Sequence, residues 1–109
     1  QALLEATAFL AHSYNKNHQF QEAELTINLL EINASNYWLV HYIKASIYSI
    51  RYEVEKQEEL LERSLRCLKR AVSIEDANNV SKQEALYDPD LSAVRTCREK
   101  DFMKIIGNG

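Results

Sequence analysis

The sequence predicts an all-α protein, and three observations support that class. Glycine and proline are scarce: Gly107 and Gly109 sit at the C-terminus and Pro89 is the single proline, whereas a sheet protein of 109 residues needs many more turn formers. Apolar residues recur at steps of three and four along most of the chain, which is the spacing of one helix face. The stretch from Tyr37 to Val54 holds twelve apolar residues in eighteen, and at about 100° per residue they fall into two separate arcs. Leu39, Val40, Ile43, Ile47, Ile50 and Val54 make an aliphatic arc. Tyr37, Trp38, Ala45, Tyr48 and Tyr52, with His41 among them, make an aromatic one. Lys44 and Arg51 separate the arcs on one side; Ser46, Ser49 and Glu53 separate them on the other. A surface helix needs one apolar stripe, so this helix is expected to lie between two neighbours.

The length suits one domain, spanning 1–109. Apolar content of 46% and charged content of 27% are those of a soluble globular chain. A formal charge of −3 argues against a general nucleic-acid binder, which is usually basic. His41, Lys44, Arg51 and Glu53 interrupt the longest apolar stretch, so no membrane span and no signal peptide are expected. The chain opens on Gln1 within a helical pattern and without an initiator Met, as expected of a piece of a longer protein. Cys67 and Cys97 have no partner at ligand spacing and read as reduced thiols of a cytoplasmic protein. Two N-x-S sequons, at Asn33 and Asn79, are about what eight asparagines give by chance.

In chain order, residues 2–15 carry Leu3, Leu4, Thr7, Leu10, Ala11 and Tyr14 at helical steps, and Asn15-Lys16-Asn17-His18 breaks the pattern. A second helix runs from about 19 to 32, with Phe20, Ala23, Ile27 and Leu30 as its stripe and Leu25, Leu29 and Ile32 widening it. Asn36 is the expected N-cap of the third helix. That helix should end between Glu53 and Glu58, because an unbroken run to Glu75 would be about 60 Å long. The fourth helix gathers Leu60, Leu61, Ser64, Leu65, Leu68, Ala71 and Val72 on one face and ends at Asp76-Ala77-Asn78-Asn79. Ser81 and Glu84 have capping-box spacing for a short helix through Tyr87. Asp88 and Pro89 start another as N-cap and first residue, and a last helix from Glu99 to Ile106 stops at Gly107.

The two halves share a template. Ala11, Tyr14 and Ala23 have the spacing of a small residue, a tyrosine three later and an alanine nine beyond. Ala45, Tyr48 and Ser64 repeat it with a gap of sixteen, so seven extra residues must lengthen the second hairpin. Leu68-Lys69-Arg70-Ala71, Asp88-Pro89-Asp90-Leu91, Val94-Arg95, Phe102 and Ile105-Ile106 follow. This pattern resembles the tetratricopeptide repeat family together with its terminal capping segment. The resemblance implies a short right-handed solenoid: repeat one at about 2–34, repeat two at about 37–76, and a cap at about 80–106. Thr7 and His41 stand where the family has bulky residues, Lys44 replaces a core leucine, and neither repeat ends in proline.

The resemblance also implies binding of a protein or peptide partner in a groove lined by the first helix of each hairpin. The corresponding positions are Glu5, Ala8, His12 and Asn15, then Leu39, Tyr42, Ser46 and Ser49. The second set falls in the polar gap between the two arcs. Chaperone-binding members need a Lys and an Asn where this chain has Ala8, His12, Tyr42 and Ser46, so acidic chaperone tails are expected not to bind. No catalytic set, cofactor loop or metal set stands out. His12, His18 and His41 read as structural or solvated, and Asp88 and Asp90 as helix-start residues. Arg63, Arg66 and Arg70, with Lys69, form a secondary basic face; Glu59 and Glu62, each four residues before an arginine, mark it as salt-laced surface. Alternatives are the regulatory arm of a larger enzyme, such as a protease or nuclease effector, and a helical bundle holding phosphate along Arg63 to Arg70.

Overall fold

The structure, a computed structural model, describes residues 2–74 and 78–107. All regular elements among these residues are helical: α1 (Ala2–Lys16), α2 (Phe20–Asn33), α3 (Trp38–Glu55), α4 (Glu58–Ser73), α5 (Asn78–Tyr87), a 3-10 turn (Pro89–Leu91), α6 (Ser92–Cys97) and α7 (Glu99–Ile106). α1 pairs with α2 and α3 with α4, and α5 to α7 fold back against α4 and α3.

α3 divides the interior in two. Val40, Ile43 and Ile47 pack with Ala8, Ala11, Ala23, Ile27 and Leu30 of the first hairpin. Tyr42 and Ala45, flanked by Trp38 and Tyr52, pack with Leu61, Leu65, Leu68, Leu91, Val94 and Phe102. The two arcs therefore face two neighbours, as two apolar faces require. Tyr37 departs from its arc by joining the first cluster, and Val54 is exposed because it lies past the last buried turn.

Small residues set the closeness of each pair. Ala8, Ala11 and Ala23 are wholly buried between α1 and α2. Ala45 and Ser64 are wholly buried between α3 and α4, and the Ser64 hydroxyl donates to the Ala45 carbonyl at 2.7 Å. Lys44, standing where a core leucine was expected, reaches out to Glu31 Oε1 at 2.7 Å and ties α3 to α2. His41 is buried too, its Nε2 donating to the Ser35 carbonyl at 2.6 Å.

The hairpin turns use left-handed residues that are not glycine. His18 has φ 60° and Lys56 φ 58°. His18 N donates to Asn15 O at 2.9 Å and Gln19 N to Tyr14 O at 2.8 Å, which closes the end of α1 as a Schellman motif. Lys56 N donates to Tyr52 O at 2.8 Å and ends α3. The seven extra residues of the second hairpin lengthen its helices on the turn side: α3 runs to Glu55, well past Tyr48, where α1 stops at Lys16 soon after Tyr14, and Ser64 stands a turn further into α4 than Ala23 stands into α2.

Several local expectations are corrected. Tyr37, not Asn36, precedes α3 at the cap position, and the Asn36 carboxamide instead accepts from Arg70 at 3.1 Å. α5 begins at Asn78, so Ser81 lies inside the helix and is buried. The Asp76-Ala77 part of the expected helix end lies outside the described residues. Asp88 does cap the next element, accepting from Asp90 N at 2.9 Å, but that element is a single 3-10 turn. Gly107 ends α7 in the right-handed region, at φ −82°. Leu25, Leu29 and Ile32 do not widen the buried stripe of α2; they form a second stripe that is exposed.

Candidate functional site

α1, the first half of α3 and the segment from α5 into the 3-10 turn enclose a cleft of about 930 Å³. α1 supplies Glu5, Phe9 and His12 from successive turns of one face. α3 supplies Trp38, Leu39, Tyr42 and Ser46, and the far wall is Gln83, Glu84, Tyr87 and Asp88 to Asp90.

A polar chain ties the three walls. The Tyr42 hydroxyl donates to Asp88 Oδ2 at 2.8 Å, while Asp88 Oδ1 accepts from Asp90 N. Lys16 Nζ donates to Asp90 Oδ1 at 2.7 Å, and His12 Nε2 lies 3.4 Å from Asp90 Oδ2. Asp90 is nearly buried, and the Lys16 ammonium offsets its charge. Burial, then the bond to Asp88, then the charges of Asp88, Glu84 and Asp90 push the Tyr42 hydroxyl far above the usual phenol range. Tyr42 therefore remains a protonated donor. Trp38 meets it edge-on, with ring centroids 5.9 Å apart.

The rim is apolar and acidic. Phe9 is 55% exposed and Tyr87 82% exposed, an unusual state for large rings. Among the described residues, no cation lies within ion-pair distance of Glu5, Glu84 or Asp88. Arg95 is engaged behind the turn, donating to the carbonyls of Ala85 and Asp88.

Glu5, His12, Leu39, Tyr42 and Ser46 of the sequence-derived groove meet at this cleft. Asn15, Ser49 and Ala8 do not line it, and all three are wholly buried. Asn15 Nδ2 donates to the Ser46 carbonyl at 3.4 Å, while its Oδ1 has no donor among the described residues. Ser49 Oγ accepts from Val94 N at 3.2 Å. In the polar gap of α3, Ser46 and Ser49 are thus covered, the Ser46 hydroxyl donating back to the Ile43 carbonyl at 2.8 Å, and only Glu53 is exposed.

The basic residues of α4 disperse. Arg63 pairs with Glu59 at 3.0 Å and lies over the Tyr48 ring, and Arg70 reaches Asn36. Arg66 lines a second, shallower cleft of about 530 Å³ with Lys69 and Lys104. Glu62, expected to pair with Arg66, instead accepts from Arg98 at 2.6 Å.

No protein-family model, curated protein or solved structure matches the chain. What the site can do rests on its own chemistry. Among the described residues no helix is long and apolar enough to cross a membrane, and no three His, Cys, Asp or Glu side chains are grouped to hold a metal ion. Trp38, Glu84, Tyr87 and Asp88 line the cleft although the sequence did not place them there. Trp38 also packs with the aromatic arc, and Asp88 also caps the 3-10 turn. Only the return of the chain through α5, packed on α4, into the 3-10 turn beside α3 brings them together, and spacing along the chain carries no sign of it.

Proposed function

We propose that the protein is a non-catalytic interaction module, built of tetratricopeptide-like hairpins, that holds a polypeptide segment of a partner protein. The observation that supports this most is the convergence of Glu5, His12, Leu39, Tyr42 and Ser46 on one cleft rimmed by exposed rings. Concave sites lined by apolar residues with a few fixed polar groups are where ligands settle. The acidic rim disfavours acidic chaperone tails. Panning a displayed random-peptide library tests the reading. The wild-type chain should enrich a sequence motif that Leu39→Asp loses; equal enrichment on both chains would contradict it.

The exposed stripe of α2 favours a second reading, in which the module is an arm packed on another domain, including that of an enzyme. Leu29 is 56% and Ile32 76% exposed. In a longer protein carrying the module, Leu29→Asp should then increase protease cleavage between the domains.

A further inference from the structure

We infer that the segment held in this cleft is cationic, and that an arginine of the partner enters among Trp38, Tyr87 and the carboxylates of Glu5, Glu84 and Asp88. This rests on the reading of the cleft as a polypeptide site and adds the chemistry of its occupant.

Charge is the first reason. The three carboxylates come from α1, α5 and the turn after α5, and all line one cleft. The nearby cations are already engaged: Lys16 pairs with Asp90, and Arg95 holds backbone carbonyls. A cationic guest supplies counter-charge to Glu5 and Glu84, with which no cation of the described residues pairs, and an acidic guest would be repelled. The raised Tyr42 hydroxyl registers the same field, since Asp88, Glu84 and Asp90 all contribute to it.

Shape and ring chemistry give the second. Trp38 and Tyr87 present aromatic surface to the cleft, and aromatic faces attract cations. A guanidinium is planar, stacks on such faces and bonds carboxylates through two parallel N–H groups, which an ammonium cannot do. The volume of about 930 Å³ exceeds a single side chain, and the exposed Phe9 at the rim offers apolar surface to neighbouring residues of a chain. These features favour a polypeptide over a free small cation.

Trp38 is the only tryptophan, so its emission reports on this cleft alone. The chain is titrated at low salt with a peptide of alternating arginine and leucine. Parallel titrations use the counterparts carrying lysine, glutamine or glutamate, and free arginine. The arginine peptide should shift Trp38 emission saturably, with the lysine peptide weaker by severalfold and the glutamate peptide silent. Added salt should weaken the binding. A double variant, Glu5→Gln with Glu84→Gln, should cost about tenfold in affinity. Both side chains are exposed and form no ion pair among the described residues, so the variant should melt like the parent. Equal binding of the glutamine peptide, or an unchanged affinity in the double variant, overturns the cationic assignment and leaves the polypeptide reading standing. Tighter binding of free arginine than of the peptide also overturns it. Silence of Trp38 toward every peptide overturns both.

Discussion

α2 and α4 are the second helices of their hairpins, and they use their apolar residues differently. In α4, Leu60, Leu61, Leu65, Leu68, Ala71 and Val72 are all buried, because α3 covers one side and α5 to α7 cover the other. In α2 only Ala23, Ile27 and Leu30 are buried, and Leu25, Leu29 and Ile32 face outward. One half of the molecule has thus used its apolar surface in folding, while the other half has kept a stripe in reserve. Burial contributes about 25 cal/mol per Å² only where water is actually removed, so the two helices should respond unequally to the same kind of substitution.

The largest contrast is expected from truncation. Phe102 is wholly buried against α4, and Phe102→Ala should destabilise by about 3–5 kcal/mol. Leu29→Ala on the open stripe should stay within about 0.5 kcal/mol of the parent. Urea unfolding of both variants measures the difference, and similar losses would erase the distinction between the halves.

Overpacking comes next. Ala45 is wholly buried beside Ser64, so Ala45→Leu should cost about 1–3 kcal/mol by forcing α3 and α4 apart. An unchanged melting midpoint would mean that the helices do not approach closely there.

Alkaline pH should probe the same packed side of α3. Burial pushes the Tyr48 hydroxyl from 10.0 up to about 12 and the Cys67 thiol from 9.0 up to about 11. The folded state then keeps protons that the unfolded chain releases, so stability is full below pH 9.0 and falls as pH rises through about 12. Cys67→Ala should remove the early part of that fall in urea midpoints measured across the range. A loss identical to the parent's would contradict the burial of the thiol.

The smallest effect belongs to the turns. Lys56 occupies a left-handed position that costs a side chain about 1–2 kcal/mol, and Lys56→Gly should recover up to about 1 kcal/mol once the flexibility of glycine is discounted. A lower urea midpoint would show that the turn needs the lysine, whose ammonium lies 5.5 Å from the Tyr52 ring centroid.

These cases also show what the chain discloses by inspection. The two faces of α3 were legible because periodicity reports burial directly, and Ala45 with Ser64 were legible as the small pair of a close crossing. The end of α3 was confined to a few residues by length alone, since its left-handed residue is Lys56 and no glycine marks the spot. Ser49 and Asn15 looked accessible because a polar side chain on a helix can face solvent or a hydrogen-bonding neighbour, and only the packing of α6 on Ser49 and of α3 on Asn15 decides between them. Leu25, Leu29 and Ile32 looked buried for the converse reason: pattern shows that a residue is apolar, not that something covers it.

The central claim is that the cleft beside the first half of α3, and not the open stripe of α2, is where a partner segment binds. Amide chemical-shift mapping of the labelled chain with the arginine–leucine peptide tests it most directly. Shifts concentrated at 38–46 and 83–90 are predicted, with 25–32 unaffected. Shifts confined to 25–32 would contradict the account.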